Sequence, residues 1–145
     1  MISESEAKEK VEQGWIKIWM AFEVLAVNEQ TAKDSLEGLV NNLDNSDRTG
    51  LYKKDFGEVK EVKAPMKNIE TAHSYTCDVE FISKKFEDIV MTVIEFGPSA
   101  IEILEPLSLN LKAGEAQAIL NTVSHMMHRF AAAGVGGMLL VKDKV

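Results

Sequence analysis

The stretch "FEDIVMTVIEFGPSAIEILEP", Phe86 to Pro106, decides the fold. Its first half is rich in β-branched residues, which favour a strand on propensity alone. Spacing and punctuation favour a helix. Ser83 stands at an N-cap position, and Phe86, Ile89, Val90 and Val93 keep the i, i+3, i+4, i+7 spacing of one helix face. Gly97 and Pro98 form a stop pair, the glycine accepting a left-handed conformation and the proline unable to continue the helix. The pattern therefore predicts a helix over 84–96, a turn at "GPS", and a strand "AIEILE" with Ile101 and Ile103 inward, closed by Pro106.

Upstream, "HSYTCDVEFI" alternates, with Tyr75, Cys77, Val79 and Phe81 inward and Ser74, Thr76, Asp78 and Glu80 outward, as a half-buried strand requires. "LYKKDFGEVKEV" reads as one charged edge strand with Gly57 as a bulge, joined by the loop "KAPMKNIETA". Before it, "EQTAKDSLEGLVNNLDN" places Ala32, Leu36, Leu39, Val40 and Leu43 on one helical stripe, with Asn28 as its cap. "WIKIWMAFEVLAV" is a strand whose inward row is Ile16, Ile18, Met20, Phe22 and Val24. A short helix over 1–13, capped by Ser3 or Ser5 and ended by Gly14, precedes it.

The order β-α-β-β-α-β predicts an α+β domain of the ferredoxin-like, split-βαβ kind: one antiparallel sheet with both helices on one face. A long additional helix over 113–133 follows, its stripe formed by Ala116, Ile119, Leu120, Val123, Met127 and Phe130. Residues 134–145 are expected to form a flexible tail or one short strand. No repeat or linker interrupts 1–145, so a single domain is expected.

The residues Gly97, Pro98, Ile103, Leu104, Glu105 and Pro106 carry one family resemblance. A helix ending in a Gly-Pro turn, then a strand finishing in a "VLEP"-like run, resembles the close of the ligand-sensing C-terminal domain of WYL-type bacterial transcription regulators. The likeness covers 84–106. It implies the ferredoxin-like fold and a role in sensing or oligomerisation, and it carries over no functional residue; a DNA-binding domain is not part of this sequence.

Composition narrows the function classes. A net charge of −7 argues against non-specific nucleic-acid or anionic-membrane binding, both of which rest on clustered Lys and Arg. The single cysteine rules out a disulfide framework and multi-cysteine metal sites, as suits a reducing compartment. The polar start "MISESEAKEKVEQG" has no apolar segment of the secretory kind, and "FAAAGVGGMLLV" is about half of the ~20 residues a membrane span needs. Cytoplasmic placement is expected.

Candidate chemistry gathers on the outward rows of the sheet. Glu23, Asp78, Glu80 and Glu102 lie there with Trp19, Lys17, Ala21, Leu25, Ala100 and Leu104. Cross-strand neighbours stand ~5 Å apart, so these carboxylates can converge on a divalent cation or form an acid/base pair. The plainer alternative is a solvated face paired with Lys and Arg. Trp19, Leu25 and Leu104 argue that part of the face is covered, by the C-terminal helix or a second subunit. His125 and His128, at i, i+3 in "SHMMHRF", are a candidate metal pair that lacks a third ligand apart from distant His73. Cys77 on an apolar row is expected to be packing rather than a nucleophile. "GVGG" follows a helix and fails the context test for a phosphate loop.

The sequence thus points to a non-enzymatic module that forms a homo-oligomer and binds a small molecule or assembles with others. Its candidate ligand residues are Trp19, Glu23, Asp78, Glu80 and Glu102. The alternative is a small metal-assisted or acid/base enzyme using the same carboxylates.

Overall fold

A computed structural model describes residues 1–134. The expected tail or strand at the C-terminus therefore lies, beyond Gly134, outside the described residues. Among these the order is α1 (Glu4–Glu12), β1 (Ile16–Ala26), α2 (Glu29–Asp44), β2 (Gly50–Phe56), β3 (Lys60–Met66), β4 (Ile69–Ser83), α3 (Phe86–Phe96), β5 (Ala100–Glu105) and α4 (Ala113–Ala132). The chain divides into two compact units, Met1–Leu109 and a second that begins at Asn110. No helix among the described residues is long and apolar enough to cross a membrane.

The first unit is α+β. Its antiparallel sheet runs β2-β4-β1-β5, and β3 also pairs with β4. The 11-residue β1 and the 15-residue β4 make the central ladder, from Ile16 opposite Ser83 to Ala26 opposite His73. That register puts Ile18 beside Phe81, Met20 beside Val79 and Phe22 beside Cys77, all on one face and all fully buried. Ala32, Leu36, Val40 and Leu43 of α2 close the same core without residual exposure. Each such Leu or Val contributes about 1.5–3 kcal/mol relative to exposure. Helix α3 joins the cluster through Ile89, with Phe86, Val93 and Phe96 packed against it, so α2 and α3 lie on one side of the sheet.

The caps largely follow the sequence. Asn28 accepts a hydrogen bond from the Thr31 amide at 2.8 Å, and Ser3 accepts one from the Glu6 amide at 3.1 Å. Asn28→Ala should therefore lower stability by about 1 kcal/mol. The urea midpoint checks this, with Asn28→Ser as the variant that should avoid most of the loss. Gly97 ends α3 at φ 58°, as its spacing before Pro98 predicts.

Four expectations need correction. Ser83 does not cap α3: it is the last residue of β4, fully buried, and its hydroxyl donates to the Arg48 carbonyl at 2.6 Å. Lys85 holds the cap position, and the helix begins at Phe86. The charged edge is not one strand, because β2 stops at Phe56 and the chain re-enters as β3, both pairing with β4. Gly57 marks that break. Its amide donates to the Thr76 carbonyl at 2.9 Å, and a Cβ there would meet Thr76 Oγ1 at 2.7 Å. The stretch read as a loop is instead a tight hairpin from β3 into β4, turning through Asn68 at φ 71°. Last, Ile101 and Ile103 do occupy the core-side row of β5, yet they stay 42% and 38% exposed.

The second unit, as far as it is described, is α4, which runs from cap Lys112 to cap Ala133 and is followed by Gly134 at φ 76°. Its apolar stripe is real as a pattern, but no residue of the helix is buried, and Leu120, Val123, Met127 and Phe130 are exposed.

Candidate functional site

The second face of the sheet is partly roofed by α1. The sequence reading named the C-terminal helix or a second subunit as cover for Trp19, Leu25 and Leu104; α1, which it did not name, packs elsewhere on this face. Ala7 and Val11 stand at i, i+4 on one side of α1. They pack with Ile2, Trp15, Tyr52 and Ile82 in a small second core. The Ile2 amide donates to the Leu51 carbonyl at 2.8 Å, and the N-terminal ammonium pairs with Asp44 at 3.1 Å, which fixes the start of the chain. Ammonium stacking of Lys10 over Trp15, 5.0 Å from the ring centre, fixes its end.

Under this roof lies a cleft of about 760 Å³, walled by α1 on one side and by β1, β2, β4 and β5 on the other. That volume falls within the range of small-molecule sites. Alternation after core-facing Leu51 puts Tyr52 on this face, and a register shift between Leu51 and Lys53 sets Lys53 beside it, opposite Glu80, to build the floor. The Tyr52 hydroxyl donates to Glu80 Oε2 at 2.7 Å, and Lys53 Nζ lies 3.5 Å from the other Glu80 oxygen. Lys17 sits 5.9 Å above the Tyr52 ring centre and 3.9 Å from Glu105. Lys8 and Glu12 of α1 complete the polar lining. Burial, reinforced by the hydrogen bond to Glu80, pushes the Tyr52 phenol well above its usual range, so it remains a hydrogen-bond donor at neutral pH.

The residues picked from sequence are distributed over this face. Trp19 is half-buried and lies between Glu80 and Glu102 in one cross-strand row. Asp78 is exposed, opposite Ala21 on one side and Asp55 on the other. Glu23 is exposed and accepts a hydrogen bond from Ser74 Oγ at 2.9 Å. Of the five, Glu80 alone lines the cleft. Nowhere among the described residues do three His, Cys, Asp or Glu side chains come close enough to hold a metal ion. His125 and His128 are exposed on α4, and His73 lies in β4 opposite Ala26, with Nδ1 buried and unpartnered among the described residues. Sequence reading missed Tyr52, Lys8 and Glu12. The signals for α1 and Tyr52 were available, in the Ala7/Val11 pair and in the alternation that puts Tyr52 on the face opposite Leu51; the placement of Lys53 beside them was not, because a bulge flips a residue without marking the alternation.

Cys77 faces the main core at 1% exposure, and burial pushes its thiol up to about 11. It is held as a neutral thiol.

Fold and cleft together define a small α+β protein with a two-sided sheet, one face closed by α2 and α3 and the other roofed at one end to leave a polar cleft. The chain belongs to the MJ0538 family, whose model matches residues 17–145. The match takes in β1 through α4, and α1 precedes it. No curated protein and no solved structure matches the chain.

Proposed function

We propose that the protein is a non-enzymatic small-molecule-binding module on a ferredoxin-like fold, and that it assembles with itself. The strand order β2-β4-β1-β5, with the first long strand between the third and fourth of the βαββαβ set, supports the finer fold description, β3 being an added hairpin arm. The observation that carries the binding reading is the cleft beneath α1. It has the volume of a ligand site, and Tyr52, Glu80, Lys17 and Lys53 converge on its floor as groups that orient a charged ligand. The resemblance of 84–106 to a ligand-sensing domain belongs to the same reading.

The lining mixes three lysines with four glutamates, which suits a small molecule carrying both an ammonium and a carboxylate. Free α-amino acids at millimolar concentration are the probes, read by amide chemical shifts of the labelled full chain. Binding should perturb Lys17, Tyr52 and Glu80 together. The Tyr52→Phe/Lys17→Gln pair should weaken it by about tenfold, or about 1.4 kcal/mol. Perturbations confined to other surfaces, or none at any probe, would rule the cleft out as the site.

A further inference from the structure

The two edges of the sheet are built differently. On one side β2 and β3 carry Lys53, Lys54, Asp55, Lys60, Lys63 and Pro65, the charges and proline that keep an edge from pairing. On the other side β5 pairs with β1 and is the last strand of the sheet among the described residues, with neither lysine nor proline within "AIEILE". The core also stops short there. Ile103 stands opposite Ile18 and Ile101 opposite Met20; the β1 partners are fully buried, while the isoleucines are 38% and 42% exposed.

We infer that the β5 edge is where two copies of this chain join, by antiparallel pairing of β5 with β5 about a two-fold axis through Ile103; the inference rests on the self-assembly reading above and gives it a surface. The guarded β2/β3 edge disfavours head-to-tail stacking, which would produce an open filament, and leaves the closed, isologous pair. Charge decides the register. With the axis at Ile103, Glu102 faces Leu104 of the second copy and Glu105 faces Ile101, so no two carboxylates oppose each other. Shifting the axis to Glu102 would set two glutamates directly opposite, which is unfavourable. Lys17, 3.9 Å from Glu105, already offsets the carboxylate at the end of the strand. Side-chain alternation then places Ile101 and Ile103 of both copies on one face, continuing the α2/α3 core layer across the axis.

The test uses the full chain and three variants. Light scattering should give twice the monomer mass for the wild type and the monomer mass for Ile103→Lys, with the far-UV circular dichroism of the two superimposed. Ile103→Cys should form a disulfide-linked dimer under mild oxidation, since directly opposed residues lie about 4.5–5.5 Å apart, within bridging range. Glu102→Cys should not, its mate being displaced by two residues along the second strand. Cys77, buried as a neutral thiol, does not interfere. A dimer that survives Ile103→Lys and leaves Ile103→Cys uncrosslinked would overturn the β5 interface while sparing self-assembly. A monomeric wild type at about 100 μM, an ample concentration for a standard-sized interface, would overturn both.

Discussion

Phe81→Ala is expected to lower the free energy of unfolding by about 3–5 kcal/mol, a large share of the 5–15 kcal/mol that holds an ordinary domain together. Phe81 has no residual exposure. It sits on β4 between Ile18 of β1 and Leu51 of β2, both fixed by backbone ladders, with α2 packed on the same core. The cavity left by the ring therefore has walls that cannot close in, and the loss should lie near the top of the range for such truncations. Urea unfolding followed by circular dichroism measures it, as a lower midpoint at unchanged slope. Leu25→Ala is the internal comparison: at 52% exposure it should change stability by no more than about 0.5 kcal/mol. A Phe81→Ala cost below about 1.5 kcal/mol would mean that β4 is not the packed centre of the sheet.

That prediction was largely legible in the sequence, and the reason is local. The inward row Tyr75, Cys77, Val79, Phe81 and the row Ile16 to Phe22 alternate without a break, so their faces follow from the pleat. The α2 stripe at Ala32, Leu36, Val40 and Leu43 has helical spacing and a capping asparagine, and all four are buried. What stayed illegible depends on geometry that spacing does not encode. Lys53 joins Tyr52 on the second face through a register shift, and Ser83 spends its hydroxyl on a carbonyl from the α2–β2 connection rather than on a helix start. Hairpin β3–β4 turns on Asn68 in a left-handed conformation, inside a stretch whose Pro65 and Asn68 resemble loop chemistry. The site suffered most, because carboxylates were selected by residue type. Glu80 lines the cleft because Tyr52 and α1 happen to meet it there, and nothing in the residues around Glu80 distinguishes it from Asp78 or Glu102.

The second large effect is kinetic and concerns Cys77. With its thiol pushed up to about 11 by burial, only about 0.1% of it is thiolate at pH 8, against about a tenth or more for an ordinary cysteine. Labelling by an aromatic disulfide reagent should therefore be slower in the native protein than in urea by on the order of 100-fold from ionisation alone. Exclusion of the reagent from a side chain 1% exposed adds to this. The same shift has a consequence for stability. Its sign follows from the raised value: the folded state favours the neutral thiol, so the contribution is complete below about pH 8.5–9 and is lost as pH rises through about 11. Tyr52 and Tyr75, both raised chiefly by burial, act in the same direction from about pH 10 upward. The denaturation midpoint should therefore hold to about pH 9 and then fall, with the first part of the fall flattened in Cys77→Ala. Native labelling at the unfolded rate, or a midpoint that rises above pH 9, would remove Cys77 from the core and with it the register of β4 against β1.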